Sequence, residues 1–143
     1  MNEDFVSFEL AKKLKEKGFR EECIATYDIE DKEFDFNNYI LRVAYQMNVT
    51  AKDCLRVFND SDGGIIDAPT ISQVLKWLRE EKKIFVVIAV NPTLSTKDKI
   101  AYYYQVYSNS NGVTSDYHES EECYITFEEA ALAGIEYVLD NLI

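Results

Sequence analysis

The chain has 143 residues, of which 47% are hydrophobic, so we expect one globular domain over residues 1–143 with a packed core. Twenty-six acidic residues against fifteen basic ones give a net charge of −11. This charge argues against direct nucleic-acid binding, because affinity for phosphate backbones depends on Lys and Arg.

Three further features predict where the protein resides. No apolar run approaches the roughly 20 residues of a membrane span. The opening MNEDFVSFEL lacks the basic and apolar regions of a secretion signal. Cys23, Cys54 and Cys123 are odd in number and widely spaced, which is typical of a reducing compartment. We predict a cytoplasmic protein that does not contact membranes.

The first half of the chain predicts two helices and a strand. The first helix follows Ser7, a good N-cap, and ends at Gly18-Phe19 in a Schellman pattern. Residues 23–29, CIATYDI, predict a strand. Residues 38–47, NYILRVAYQM, fit a strand or a helix, with a slight preference for strand. A short second helix is predicted after Thr50.

The centre of the chain predicts a helix and a β-hairpin. Thr70 and Gln73 form a capping box, and apolar residues at helical spacing follow. Residues 84–90, IFVVIAV, are apolar at every position and predict a central strand covered on both faces or nearly so. Residues 100–107, IAYYYQVY, are rich in strand formers, so the two segments are expected to pair.

The last part of the chain predicts a loop and a helix. Residues 107–122 are polar and predict a long loop. Thr126 and Glu129 form a second capping box, followed by an amphipathic helix. Together these elements predict an α+β fold, in which a small, largely antiparallel sheet carries amphipathic helices packed mainly on one face.

Two sequence blocks resemble a group of small uncharacterised proteins of Bacteroidetes and their phages and mobile elements. They are APTISQVLKWLREEKKI, from residue 68, and TFEEAALAGIEYVLDNLI, from residue 126, with SFELAKKLKEKGF at the start and a Tyr-rich strand in between. The resemblance implies a phage-type accessory gene. It implies no activity and no catalytic residues.

Catalytic and metal-binding patterns are weak. Residues 58–67 resemble a calcium loop, but Phe58 and Pro69 stand where an Asp and a Glu ligand are needed. His118, the single histidine, lies in an acidic segment near Cys123, which would hinder formation of a thiolate. The usual phosphate-binding and hydrolase motifs are absent from the sequence. We therefore predict no catalytic residue, no cofactor and no metal site.

Aromatic residues are the strongest candidates for an interaction surface. The tyrosines of the 100–107 strand place rings on both of its faces, where they either pack under helices or bind a partner. Trp77 lies at the boundary of its helix's apolar face, where it either covers a sheet edge or meets a partner. The candidate surface comprises Trp77, Tyr102, Tyr103, Tyr104 and Tyr107.

Three functions remain open on this evidence. The first is a small acidic binding or accessory protein that acts through protein contacts, with a homodimer or another protein as partner. The second is a phage-type inhibitor that mimics DNA and blocks a nucleic-acid-binding protein, which requires carboxylates spaced like phosphates. The third is an enzyme with an unrecognised site near His118.

Overall fold

The computed structural model describes residues 4–35, 46, 48, 65–110 and 113–143, and its α+β architecture confirms the predicted fold class. The predictions for residues 38–47, apart from Gln46, for the helix after Thr50 and for most of the calcium-like loop lie outside the described residues. Backbone contacts divide the chain into two compact units, residues 1–70 and 71–143.

Three helices and six strands are found among the described residues, and all strand pairs are antiparallel. In chain order they are α1 (Phe8–Glu16), β1 (Thr26–Asp28), β2 (Phe34–Asp35), β3 (Ile65–Asp67), α2 (Ile71–Glu81), β4 (Ile84–Val90), β5 (Tyr102–Ser110), β6 (Val113–Glu119) and α3 (Phe127–Asn141).

The ends of α1 are set by the residues that the sequence indicates. The Ser7 hydroxyl accepts a hydrogen bond from the Leu10 amide at 3.3 Å, which satisfies one free donor of the first turn. Gly18 has a φ of 92°, and the Phe19 amide donates to the Leu14 carbonyl at 2.9 Å. This is a Schellman ending, and both predicted caps are confirmed.

The first unit contains a small sheet in the order β2–β1–β3. Tyr27 of β1 is buried, and its hydroxyl donates to the Val6 carbonyl at 2.5 Å. Its ring meets the rings of Phe8 and Phe34 edge-on, at centroid distances of 5.8 and 5.5 Å. The predicted strand over residues 23–29 is thus present in a shorter form, as β1.

The second unit contains a sheet in the order β4–β5–β6. The prediction of a central strand covered on both faces is wrong for β4, which is an edge strand with Val87 and Val90 exposed. β4 pairs with β5 from Ile84 opposite Ser108 to Val90 opposite Tyr102, which confirms the predicted hairpin. The long loop predicted over residues 107–122 is wrong. β5 continues to Ser110, and β6 pairs back onto it from Val113 to Glu119.

Helix α3 begins where the sequence predicts, since the Thr126 hydroxyl accepts a hydrogen bond from the Glu129 amide at 3.1 Å. The helix packs on β4 and β5, and Gly134 lies against the sheet. Its buried side chains are Ala130, Ala131, Ile135, Val138 and Leu139. This apolar face covers one side of the second sheet and builds the core of the second unit.

Candidate protein interface

The two faces of the β4–β5–β6 sheet have different environments. A Cβ placed on Gly134 would lie 2.7 Å from Val86 Cγ1 and 3.1 Å from Tyr104 Cγ, so these two residues are on the side covered by α3. Successive side chains of a strand point to opposite faces. The odd-numbered side chains of β4 and β5 therefore lie on the other side.

We call this other side the open face. Its described side chains are Phe85, Val87, Ala89, Tyr103, Gln105, Tyr107, Tyr117 and Glu119. Helix α3 packs on the opposite side of the sheet. Val87 is 43% exposed and Tyr117 is 55% exposed, although both lie on regular strands. An antiparallel sheet with large apolar side chains on its uncovered face is expected to pack against something else.

A row of aromatic rings crosses all three strands of the open face. Phe85 lies opposite Tyr107, and Tyr107 lies opposite Tyr117. The rings of Tyr107 and Tyr117 are 5.2 Å apart at an angle of 47°. The Gln105 amide donates to the Tyr117 hydroxyl at 3.3 Å. These contacts fix the Tyr117 ring in place while leaving more than half of it exposed.

The open face is almost uncharged in a strongly acidic chain. Among its described side chains, only Glu119, at the end of β6, carries a charge. Removing this surface from water therefore requires little desolvation of ions, which is the main cost of burying charged groups. Tyrosine can be buried with its hydroxyl at the rim, which is one reason for its enrichment at interfaces.

The structure separates the tyrosines that the sequence grouped together. Tyr103 and Tyr107 lie on the open face. Tyr102 and Tyr104 lie on the side of α3, where the Tyr102 ring meets Phe127 edge-on at 6.4 Å. Tyr104 is only 7% exposed. The candidate surface is thus corrected, because Tyr104 supports the core and Tyr102 points away from the open face.

The prediction that Trp77 belongs to an exposed surface is also wrong. Its side chain is 6% exposed, and it is one of the buried residues of α2. The Lys82 ammonium lies over its ring, 5.3 Å from the centroid. A cation at this position is attracted to the negative face of the indole. Trp77 therefore has a packing role, and its burial removes it from the exposed surface.

His118 belongs to an aromatic cluster on the α3 side. Its ring stacks on that of Tyr137, with centroids 3.7 Å apart and planes inclined by 3°. Tyr104 lies 5.9 Å from His118 and 6.3 Å from Tyr124. Burial, and next the nearby phenols of Tyr124 and Tyr137, raise the pKa of Tyr104. The geometry gives His118 a packing role between β6 and α3.

The two described cysteines have contrasting environments. Cys23 is buried, and burial followed by the Asp67 carboxylate raises the pKa of its thiol, which keeps it neutral and unreactive. Cys123 is exposed, and the side-chain amide nitrogen of Asn91 lies 3.8 Å from its sulfur. Within the described ranges, no group of three or more His, Cys, Asp and Glu side chains is placed to hold a metal ion.

Sequence reasoning missed Tyr117, the most exposed aromatic ring of the open face. The residue lies in the segment that was predicted to be a loop. The sequence does hold a signal, because Asn111-Gly112 is the commonest pair in two-residue hairpin turns and is flanked by β-branched and aromatic residues. Reading this pair as a turn would have predicted β6, but in regular register it places Asp116 opposite Tyr107. The register shift between Ser108 and Asn109 brings Tyr117 to that position.

Comparisons of the chain with protein families, with characterised proteins and with solved structures give no match. The resemblance to the Bacteroidetes group therefore stays a prediction. Over the described parts of the chain, each helix is too short or too polar to cross a membrane.

Proposed function

We propose that the protein is a binding protein that acts through protein contacts, and that the open face is its binding surface. One observation carries the proposal. The Phe85–Tyr107–Tyr117 row spans the whole width of a three-stranded sheet on the side that α3 does not cover. Aromatic residues held in a rigid framework are typical anchors of protein interfaces.

The rigidity of the row supports this use. Each of its three residues lies on a paired strand, so little conformational entropy is lost when a partner binds. Tyr103 lies opposite Ala89 further along the same face, and this pair extends the apolar surface along β4 and β5. Val87 and Gln105 fill the space between the two rows. The result is a continuous surface in place of scattered exposed side chains.

The chemistry of the open face selects the class of partner. Its described side chains include no Lys or Arg, so it offers nothing to a phosphate backbone. They also include a single carboxylate, that of Glu119, whereas a mimic of DNA needs a regular row of them. The face suits a neutral protein surface with apolar or aromatic side chains and with acceptors for the tyrosine hydroxyls.

The test is a comparison of proteins captured by wild-type and variant chains. Tyr117→Lys places a charge at the most exposed residue of the aromatic row, on the side of the sheet away from α3. The expected result is loss of the proteins that the wild-type chain retains, because a lysine buried against an apolar partner is left unpaired. Captured proteins are compared by mass spectrometry, and folding of each variant is verified by its denaturation midpoint.

Ile125→Lys is the matched control. Ile125 is 70% exposed and lies between the Tyr102–Tyr124 bridge and the start of α3, away from the open face. The Ile125→Lys substitution introduces the same charge as Tyr117→Lys at a similarly exposed apolar position. The proposal predicts that Ile125→Lys keeps the captured partners and that Tyr117→Lys loses them. Retention by both variants, or loss from both, would contradict it.

A further inference from the structure

β4 has a free edge with a regular pattern of backbone groups. The backbone amide of Asn91 donates to the Ala101 carbonyl at 2.8 Å, and the backbone amide of Asn109 donates to the Lys83 carbonyl at 2.9 Å. Since such bonds recur at every second residue, the odd-numbered residues of β4 bond to β5. The even-numbered residues Ile84, Val86, Ile88 and Val90 then direct their N–H and C=O groups away from β5. No hydrogen bond joins these groups to another described residue.

The residues of this edge include none of those that usually protect a strand against strand addition. Natural sheets protect their edges with charged residues, proline or bulges. The seven residues of β4 contain no charge, proline or glycine, and the pairing with β5 has no register shift. β6, at the opposite edge, carries Asp116 and Glu119 in its sequence. β4 is therefore the edge of this sheet that is suited to accept another strand.

We propose that β4 pairs with β4 of a second copy, antiparallel and centred on Val87, to form a continuous six-stranded sheet. In this register Ile84 bonds to Val90 of the second copy, and Val86 bonds to its Ile88. All seven residues are paired. Shifting this register by two residues in one direction would pair Ile84 with Pro92, which has no N–H. Shifting it in the other direction would place Val90 opposite a residue before the start of β4, which shortens the ladder.

Charge favours a second copy over a charged partner. The edge carries no charged side chain between Lys83 and Asn91, so it offers nothing that selects a basic or an acidic strand. Antiparallel pairing also places Lys83 opposite Asn91 of the second copy, which keeps the lysines of the two copies at opposite ends. Each chain carries a net charge of −11, so association strengthens as salt screens the repulsion between copies.

The inference uses the edge of β4 and does not depend on the open face as a binding surface. Pairing would place the two open faces side by side on one sheet, because Phe85, Val87 and Ala89 of each copy point to the same side. The two proposals are separable by experiment, since Tyr117 lies on β6, two strands away from the edge of β4.

The first test uses opposite charges at Val87, which is 43% exposed and so tolerates substitution. In the proposed register, Val87 lies directly opposite Val87 of the second copy, at a Cα separation of about 4.5 Å. Val87→Lys or Val87→Glu alone should weaken dimerisation about tenfold or more, because like charges meet. An equimolar mixture of the two variants should restore dimers. Sedimentation equilibrium measures all three samples.

Two controls accompany this test. Val87→Thr keeps a neutral β-branched side chain and should leave the dimer intact. Tyr117→Lys should also dimerise, even where it loses the partners of the open face, so failure of one proposal is distinguished from failure of the other. A wild-type chain that stays monomeric at high protein and salt concentration would overturn the inference, as would a dimer that Val87→Lys does not weaken.

Amide hydrogen exchange of the wild-type chain gives a second, independent readout. Amides of Phe85, Val87 and Ala89 should be protected at all protein concentrations, since they bond to β5. Amides of Val86 and Ile88 should exchange fast in dilute samples and become protected as dimers form. Fast exchange at Val86 and Ile88 in a fully dimeric sample would show that the copies associate elsewhere.

Discussion

The imidazole ring of His118 lies flat on the phenol ring of Tyr137, with centroids 3.7 Å apart and planes 3° from parallel. His118 belongs to β6, one of the two outer strands of the second sheet, and Tyr137 belongs to α3. The stack therefore packs β6 against α3. It gives the single histidine of the chain a structural role that its sequence context does not suggest.

Replacing His118 should separate packing from chemistry. His118→Ala should lower the free energy of unfolding by about 1 kcal/mol, the typical value of an aromatic pair beyond its area burial. His118→Phe keeps a planar ring against Tyr137 and should retain most of the stability. Urea denaturation measures both variants. Equal losses for Ala and Phe would show that the imidazole nitrogens matter more than the stack.

Burial of Trp77 predicts a large effect on stability. Trp77→Ala should lower the free energy of unfolding by about 3–5 kcal/mol, as expected when a large buried side chain is truncated. Trp77→Phe fills part of the volume and should lose less. Neither change should alter the partners of the open face, because Trp77 is not exposed. A Trp77→Ala variant of normal stability would contradict the packing role.

Gly134 tests the close approach of α3 to the sheet. Ala is favoured over Gly in a helix by about 1 kcal/mol, so propensity alone predicts that Gly134→Ala stabilises. The added Cβ would lie 2.7 Å from Val86 Cγ1, and we expect a net loss of about 1–3 kcal/mol from overpacking. Ala133→Gly, the neighbouring control, should lose about 1 kcal/mol through propensity. A stabilised Gly134→Ala variant would show that the sheet yields easily.

Local signals were read correctly from the sequence because their causes are local. The Ser7 and Thr126 caps and the Gly18-Phe19 ending each depend on residues within one turn. Burial of Trp77 depends instead on distant contacts. A helical wheel places it at the edge of the apolar face, and only the packing of the folded chain decides that the ring is covered.

The open face was predictable only in part. Alternation along β5 predicts that Tyr103 and Tyr107 share one side and Tyr104 the other. Which side stays open depends on where α3 packs. The contact of Gly134 with Val86 and Tyr104 fixes that position, and these residues are far apart in sequence. β6 was missed because its polar residues, suited to an edge strand, resemble those of a loop.

The raised pKa of two tyrosines predicts loss of stability at alkaline pH. Burial is the largest cause for both Tyr27 and Tyr104. Above a pH of about 10 the unfolded chain loses these protons before the folded chain does, so the folded state binds more protons and stability falls as pH rises through the folded pKa. Tyr104→Phe should reduce this fall. The measurement is the urea midpoint from neutral to alkaline pH, and an unchanged pH dependence in Tyr104→Phe would contradict it.

The most direct test of the open face is hydroxyl-radical footprinting of the wild-type chain, free and bound to a captured partner. In the free chain, Tyr117 should oxidise faster than the buried Tyr27 and Tyr104. In the complex, oxidation of Tyr103, Tyr107 and Tyr117 should slow together, while the exposed Ile24 and Ile125 should oxidise as before. Unchanged oxidation of these three tyrosines in the complex, with protection at Ile24 or Ile125, would show that the partner binds elsewhere and that the open face is not the binding surface.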